Sequence, residues 1–245
     1  MQTSTAGQGA KGLARDRHPP RHWPRHTALY RLVMLHVVLM TAVLPLPLFA
    51  QAVDFQPDLS GNGTVNTPAN GTTIVGIDAT GTQSFSSSFS GTINIDPTNS
   101  SLVKAGTGIF TISGATITGG QFHILDGAVA QTSGTTNVTF LSVGSGSNPF
   151  TGNAPSVGAL NVSGGTLAFG TTMQVGDFGG TGTVNQSGGN VTFGGNGNAA
   201  SLNIGNQGGQ GTYNLSGGTL SFDGTGTTSF IVLGRNGAST SPSAW

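Results

Sequence analysis

The chain has 245 residues, 42 of them Gly, with no Cys, no Glu and only 7% charged residues, a composition that argues against an ordinary soluble enzyme domain. Its net charge of zero sums two unlike pieces. Residues 1–52 carry six Lys and Arg against Asp16, a charge of +5, whereas from Val53 onward Lys104 and Arg235 face seven Asp, a charge of −5. An acidic body disfavours nucleic acid and anionic membrane as partners, since either needs clustered Lys and Arg to displace counterions.

Residues 1–52 read as an export signal. A long basic stretch (Lys11, Arg15, Arg17, Arg21, Arg25, Arg31) precedes an apolar run over 32–44, and Ala50-Gln51-Ala52 supplies a small-residue cleavage site. The apolar stretch is close to the minimum for a bilayer span, but His36, Pro45 and Pro47 argue against an anchor. Cleavage after Ala52 leaves residues 53–245, with no membrane insertion expected of that mature segment. Without Cys, even an oxidising compartment offers no disulfide, so backbone pairing and burial must hold the fold.

Within the mature segment, residues 53–105 are predicted to be β-rich and to form an N-terminal cap or first rungs. Residues 106–237 carry repeats, and 238–245 read as a truncated or irregular tail. Apolar residues alternate in short runs, as in Leu160-x-Val162, Leu167-x-Phe169, Val191-x-Phe193, Leu202-x-Ile204, Tyr213-x-Leu215 and Leu220-x-Phe222. Period two with Thr and Val enrichment is a strand signal, and the intervening glycines supply turns with positive φ.

Those runs recur in register. Ser-Gly-Gly triplets begin at Ser163, Ser187 and Ser216, each between two apolar runs, and a later apolar residue followed by Gly falls at Val175, Ile204 and Leu233. Two looser copies surround residues 110–127 and 131–146. A unit of roughly two dozen residues with three short strands cannot bury its own apolar faces and needs neighbours above and below. The predicted fold is therefore all-β, a right-handed parallel β-helix (β-solenoid) with rungs of about 20–30 residues, preceded by the cleaved signal peptide. The repeats are expected to give five rungs, extended by whatever residues 53–105 contribute, with Val, Ile, Leu and Phe in a narrow core, Thr, Ser and Asn outside, and length variation confined to the loop between second and third strands. An antiparallel barrel or sandwich explains the short strands but not the repeat.

The segment SLVKAGTGIFTISG resembles the autotransporter-associated β-strand repeat, through Leu102, Lys104, Gly106, Gly108, Ile112, Ser113 and Gly114. The later SGGTL units are similar to repeats of large autotransporter passengers and adhesin-like exported proteins. The resemblance implies display at the cell surface or secretion by a Gram-negative bacterium, in association with the outer membrane, and a non-enzymatic scaffold. Partners would be glycans or neighbouring cell surfaces, held by distributed weak contacts. The alternative is a carbohydrate-active β-helix enzyme of polysaccharide lyase or glycosidase type, which needs clustered Asp, Lys, Arg or His on one strand face.

The sequence offers no such cluster, and no catalytic, cofactor-binding or metal-ligating residue is assigned. Asp126 and Asp177 read as turn residues, since the equivalent slot holds Asn206 or Arg235 in other rungs. His123, flanked by Phe122 and Ile124, reads as a strand-surface histidine without ligand company. Asn198 stands where a glycine-rich calcium repeat needs Asp, removing the charge a hard cation wants. Eight Asn-x-Ser/Thr sequons, Asn161, Asn185 and Asn214 among them, follow from composition, and several fall in strands where Asn would form ladders.

Overall fold

The computed structural model describes residues 51–194, 199–223 and 229–234. Most of the leader, the tail, Asn198 and Arg235 lie outside the described residues.

Chain order gives β1 (Val53–Gln56), β2 (Thr64–Asn66), β3 (Thr72–Val75), β4 (Ser87–Phe89), β5 (Thr92–Ile95), β6 (Ser101–Lys104) and β7 (Ile109–Ile112). Next come β8 (Thr116–Ile124), β9 (Asp126–Gln131), β10 (Thr135–Val143), the short pair β11 (Ser147–Asn148) and β12 (Ala154–Pro155), β13 (Val157–Val162) and β14 (Thr166–Val175). The last are β15 (Thr181–Gln186), β16 (Asn190–Phe193), β17 (Ser201–Ile204), β18 (Gln210–Leu215), β19 (Thr219–Phe222) and β20 (Phe230–Leu233).

These strands form a parallel β-helix with three faces. The first face stacks β4, β7, β9, β13, β15 and β18. The second stacks β2, β5, the first halves of β8, β10 and β14, then β16 and β19. The third stacks β1, β3, β6, the second halves of β8, β10 and β14, then β17 and β20. The long strands β8, β10 and β14 thus turn a corner, marked by a register break between Val138 and Phe140. Eight levels lie on the third face among the described residues, five from the repeats (β8, β10, β14, β17 and β20) and three from β1, β3 and β6, so stacking starts at Val53 and spans about 34 Å at the usual strand spacing.

Alternation puts one column of side chains inside and the next outside. On the second face Val65, Ile93, Ile117, Thr136, Leu167, Val191 and Leu220 share one inward column, while Val138, Phe169, Phe193 and Phe222 share the other. The rows of this core are nearly all fully buried, but Phe222, at the last described level, is 47% exposed. Each Ser-Gly-Gly forms the corner between first and second faces, with its second glycine, Gly165, Gly189 or Gly218, in the left-handed region.

Two departures from simple alternation matter. Loops over 76–86 and 144–156 also vary in length, and they lie against the outside of the third face. There Ile74, Ile77, Val103 and Ala105 form a second buried apolar cluster, with Phe55, Leu125 and Phe150 packed against it. The adjacent apolar pairs Ile74-Val75 and Leu102-Val103 break period two because both sides of those strands are covered.

Candidate functional site

The outward side of the second face carries two polar columns. Thr64, Thr92, Thr116, Thr135, Thr166, Asn190 and Thr219 stand in one; Asn66, Asn94, Thr118, Asn137, Ala168, Thr192 and Ser221 stand in the other. Adjacent levels are about 4.8 Å apart and the two columns about 6.6 Å apart, two residues along a strand. The columns contain no charged and no aromatic residue. Neighbouring rungs are tied side chain to side chain: Asn94 Nδ2 donates to Asn66 Oδ1 (2.8 Å), Thr219 Oγ1 to Asn190 Oδ1 (2.8 Å), and Thr192 and Ser221 share a 3.3 Å bond. At the corner beside Asn66 and Asn94 a cleft of about 400 Å³ is lined also by Thr67, Ile95, Asp96, Pro97, Thr118 and Gly119.

The first face bears a second ladder. Asn185 Nδ2 donates to Asn161 Oδ1 (2.9 Å) and Asn214 Nδ2 to Asn185 Oδ1 (2.8 Å), so these three sequon residues stack as the strand reading expected. Asn185, in the middle, both donates and accepts within the ladder, while Asn161 accepts and Asn214 donates at its ends.

The residues weighed for chemistry are dispersed. Asp126 opens β9, and its carboxylate accepts from Asn148 Nδ2 and from the Val157 backbone N–H (2.8 Å), closing the 144–156 loop. Asp177 lies in the turn between β14 and β15, fully buried, accepting from the Phe178 N–H (2.7 Å) and from Asn206 Nδ2 (3.4 Å) one rung on. Desolvation pushes its carboxyl above the usual range, against those two bonds. Asp177 and Asn206 do occupy one slot of successive turns.

His123 points outward from β8 but is only partly exposed, packed against the Phe140 ring at 5.5 Å. Its Nε2 faces Gln121 Oε1 (3.1 Å), an acceptor only, so Nε2 carries the proton, and Nδ1 accepts from the Ser142 hydroxyl (2.8 Å). Burial lowers its pKa to about 4. Among the described residues no three of His, Asp or Glu come together in a way that could hold a metal ion.

Sequence reasoning missed Lys104. It stands in the inward column between Val75 and Ile124, fully buried, and its Nζ donates to the main-chain oxygens of Ala105 (2.9 Å), Gly106 (2.7 Å) and Asp126 (3.1 Å). Desolvation lowers its pKa to about 8, opposed by the charge of Asp126. The signal was available: with Leu102 inside, strict alternation puts Lys104 inside too.

No family model matches the chain, and no characterised protein or solved structure matches it.

Proposed function

We propose that the chain is an exported, non-enzymatic β-solenoid scaffold with adhesin-like binding spread along its length. It would belong to an autotransporter-type passenger displayed at the surface of a Gram-negative bacterium. The observation that supports this best is the seven-level array on the second face, where hydroxyls and amides recur at the strand spacing. Each contact with a glycan hydroxyl would be weak, and summed over levels the contacts give avidity. The resemblance at Leu102, Lys104, Gly106 and Gly108, together with the leader, supports export and surface display.

A carbohydrate-active enzyme needs an acid and a base, or a cation and a carboxylate, within reach of one bond. Here the carboxylates of Asp126 and Asp177 are each committed to local amide donors. The discriminating experiment incubates the purified mature chain with immobilised polysaccharides and whole cells, scoring retention and release of cleaved sugar. Retention without cleavage supports the scaffold. Cleavage abolished by a single alanine at Asp126, Asp177, Asp223 or His123 would establish the enzyme instead.

A further inference from the structure

Between the second and third faces the corner changes form along the stack. In β8 the strand itself makes the turn, pairing with β5 through residues 116–119 and with β6 through residues 121–124. One rung below, β5 stops at Ile95 and β6 starts at Ser101, so residues 96–100 form a loop. Gly120 lets that loop lie close, since a Cβ there would be 2.5 Å from the Ser100 main-chain oxygen and 2.8 Å from that of Asp96. The loop is pinned from within: the Asp96 backbone N–H donates to Thr67 Oγ1 (2.9 Å), and the Thr98 N–H donates to Asp96 Oδ1 (2.7 Å).

The cleft of about 400 Å³ lies between this loop and the outward column of Asn66, Asn94 and Thr118. We propose that it is a sugar subsite, taking one neutral hexose unit through two adjacent hydroxyls. The proposal rests on the glycan-binding reading above and adds to it one defined place where a single sugar is held.

The volume falls within the range of small-molecule sites, roughly 300–1,000 Å³. Hydrogen bonds among the described residues leave four side-chain groups there uncommitted. Asn94 Nδ2 donates to Asn66 Oδ1, which leaves Asn66 Nδ2 to donate and Asn94 Oδ1 to accept. The Thr118 hydroxyl has no protein partner, and Asp96 Oδ2 stays open because Thr98 takes Oδ1. Asp96 is the one charged residue bordering the cleft. Its carboxylate only accepts, whereas the Asn66 amide nitrogen only donates. A ligand that satisfies both carries donor and acceptor on neighbouring atoms, as the vicinal hydroxyls of a hexose do. Pro97, exposed beside them, offers C–H surface to the apolar face of the ring. An anionic ligand would meet the Asp96 charge with no cation to offset it. A hard divalent cation would find a single carboxylate among neutral groups, too little charge to replace its water.

The test titrates the purified, isotope-labelled chain with methyl glycosides of glucose, galactose and mannose, reading amide chemical shifts, and measures retention on immobilised polysaccharide in parallel. Saturable shifts centred on residues 94–98 and 118–119 are expected with at least one glycoside. Asp96→Asn keeps the oxygen that caps Thr98 but loses the second acceptor, and Thr118→Val keeps the shape but loses the hydroxyl. Each should weaken that binding by about tenfold or more. A double variant on the same face but outside the cleft, Thr135→Ala with Thr166→Ala, should bind the glycoside as the native chain does, and methyl glucuronide should bind more weakly than methyl glucoside. Absence of saturable shifts, shifts centred elsewhere on the chain, undiminished affinity in either cleft variant, or tighter binding of the glucuronide would overturn the proposal. Where retention on polysaccharide persists, the glycan-binding reading survives that failure; where retention is absent too, both fall.

Discussion

Phe169 and Phe193, on successive rungs, lie face to face with 5.4 Å between ring centroids and 4° between planes. Val191 sits over Leu167 in the same pair of strands, and Phe222 follows Phe193 at 4.0 Å. The stack is thus a column of like on like, and its cost of disruption depends on depth in the column. Phe193 is 0% exposed, so Phe193→Ala is expected to destabilise by about 3–5 kcal/mol. Phe222→Ala, half in solvent already, should cost clearly less. Denaturant midpoints of the two variants provide the check, and equal losses would contradict the described register.

Tight corners make a second prediction. Gly176 has φ +61°, and a Cβ built there would lie 1.8 Å from the Gln210 main-chain oxygen of the next rung. Gly176→Ala therefore forces two rungs apart and should cost several kcal/mol, by strain and lost pairing together. Gly208, at φ +80° with nothing within 4 Å, faces only the left-handed penalty, about 1 kcal/mol for Gly208→Ala. Thermal melts of the pair separate packing from backbone preference.

This difference shows how much the sequence carries. The Ser-Gly-Gly triplets and the alternation of Leu167-x-Phe169 or Val191-x-Phe193 were enough to predict a parallel stack and the column in which these side chains meet. They could not reveal that Ile74 and Val103 are buried on the outer side, because the residues covering them come from loops 76–86 and 144–156 with no repeat of their own. Lys104 escaped for a related reason. A cation reads as a surface residue until three carbonyl oxygens around a corner are seen to accept its protons. His123 faces outward as a strand-surface residue, but its packing against Phe140 and its bond to Ser142 are set by pairing with a rung nineteen residues on and leave no local signal.

That contact gives a pH signature. The pKa of His123 is lowered from 6.5 to about 4 in the folded chain, so between those values the unfolded chain binds more protons than the folded one. Stability from this group is full above pH 6.5 and is lost as pH falls toward 4, by at most about 3 kcal/mol. His123→Gln should flatten that part of the stability–pH curve relative to the native chain. Parallel curves across this window would contradict the buried neutral imidazole.

Stacking also predicts tolerance of unit loss. Thr183 and Thr212 are register partners, so deleting residues 183–211 joins Gly182 to Thr212 with every column still aligned. The shortened chain should keep its β-sheet circular dichroism and melt cooperatively, as repeat arrays do. Deleting residues 183–197 instead breaks the register and should abolish cooperative melting.

The account centres on binding distributed over the second-face array, and one measurement bears on it most directly: retention of the mature chain on whole cells or immobilised polysaccharide as the ladder is removed level by level. Alanine at Thr116, at Thr135 or at Thr166 alone should each leave retention nearly intact. Replacing all three together should reduce it steeply, since avidity falls multiplicatively with the number of levels engaged. Complete loss from any one of the single substitutions, or no loss from the triple, would contradict distributed binding on this face.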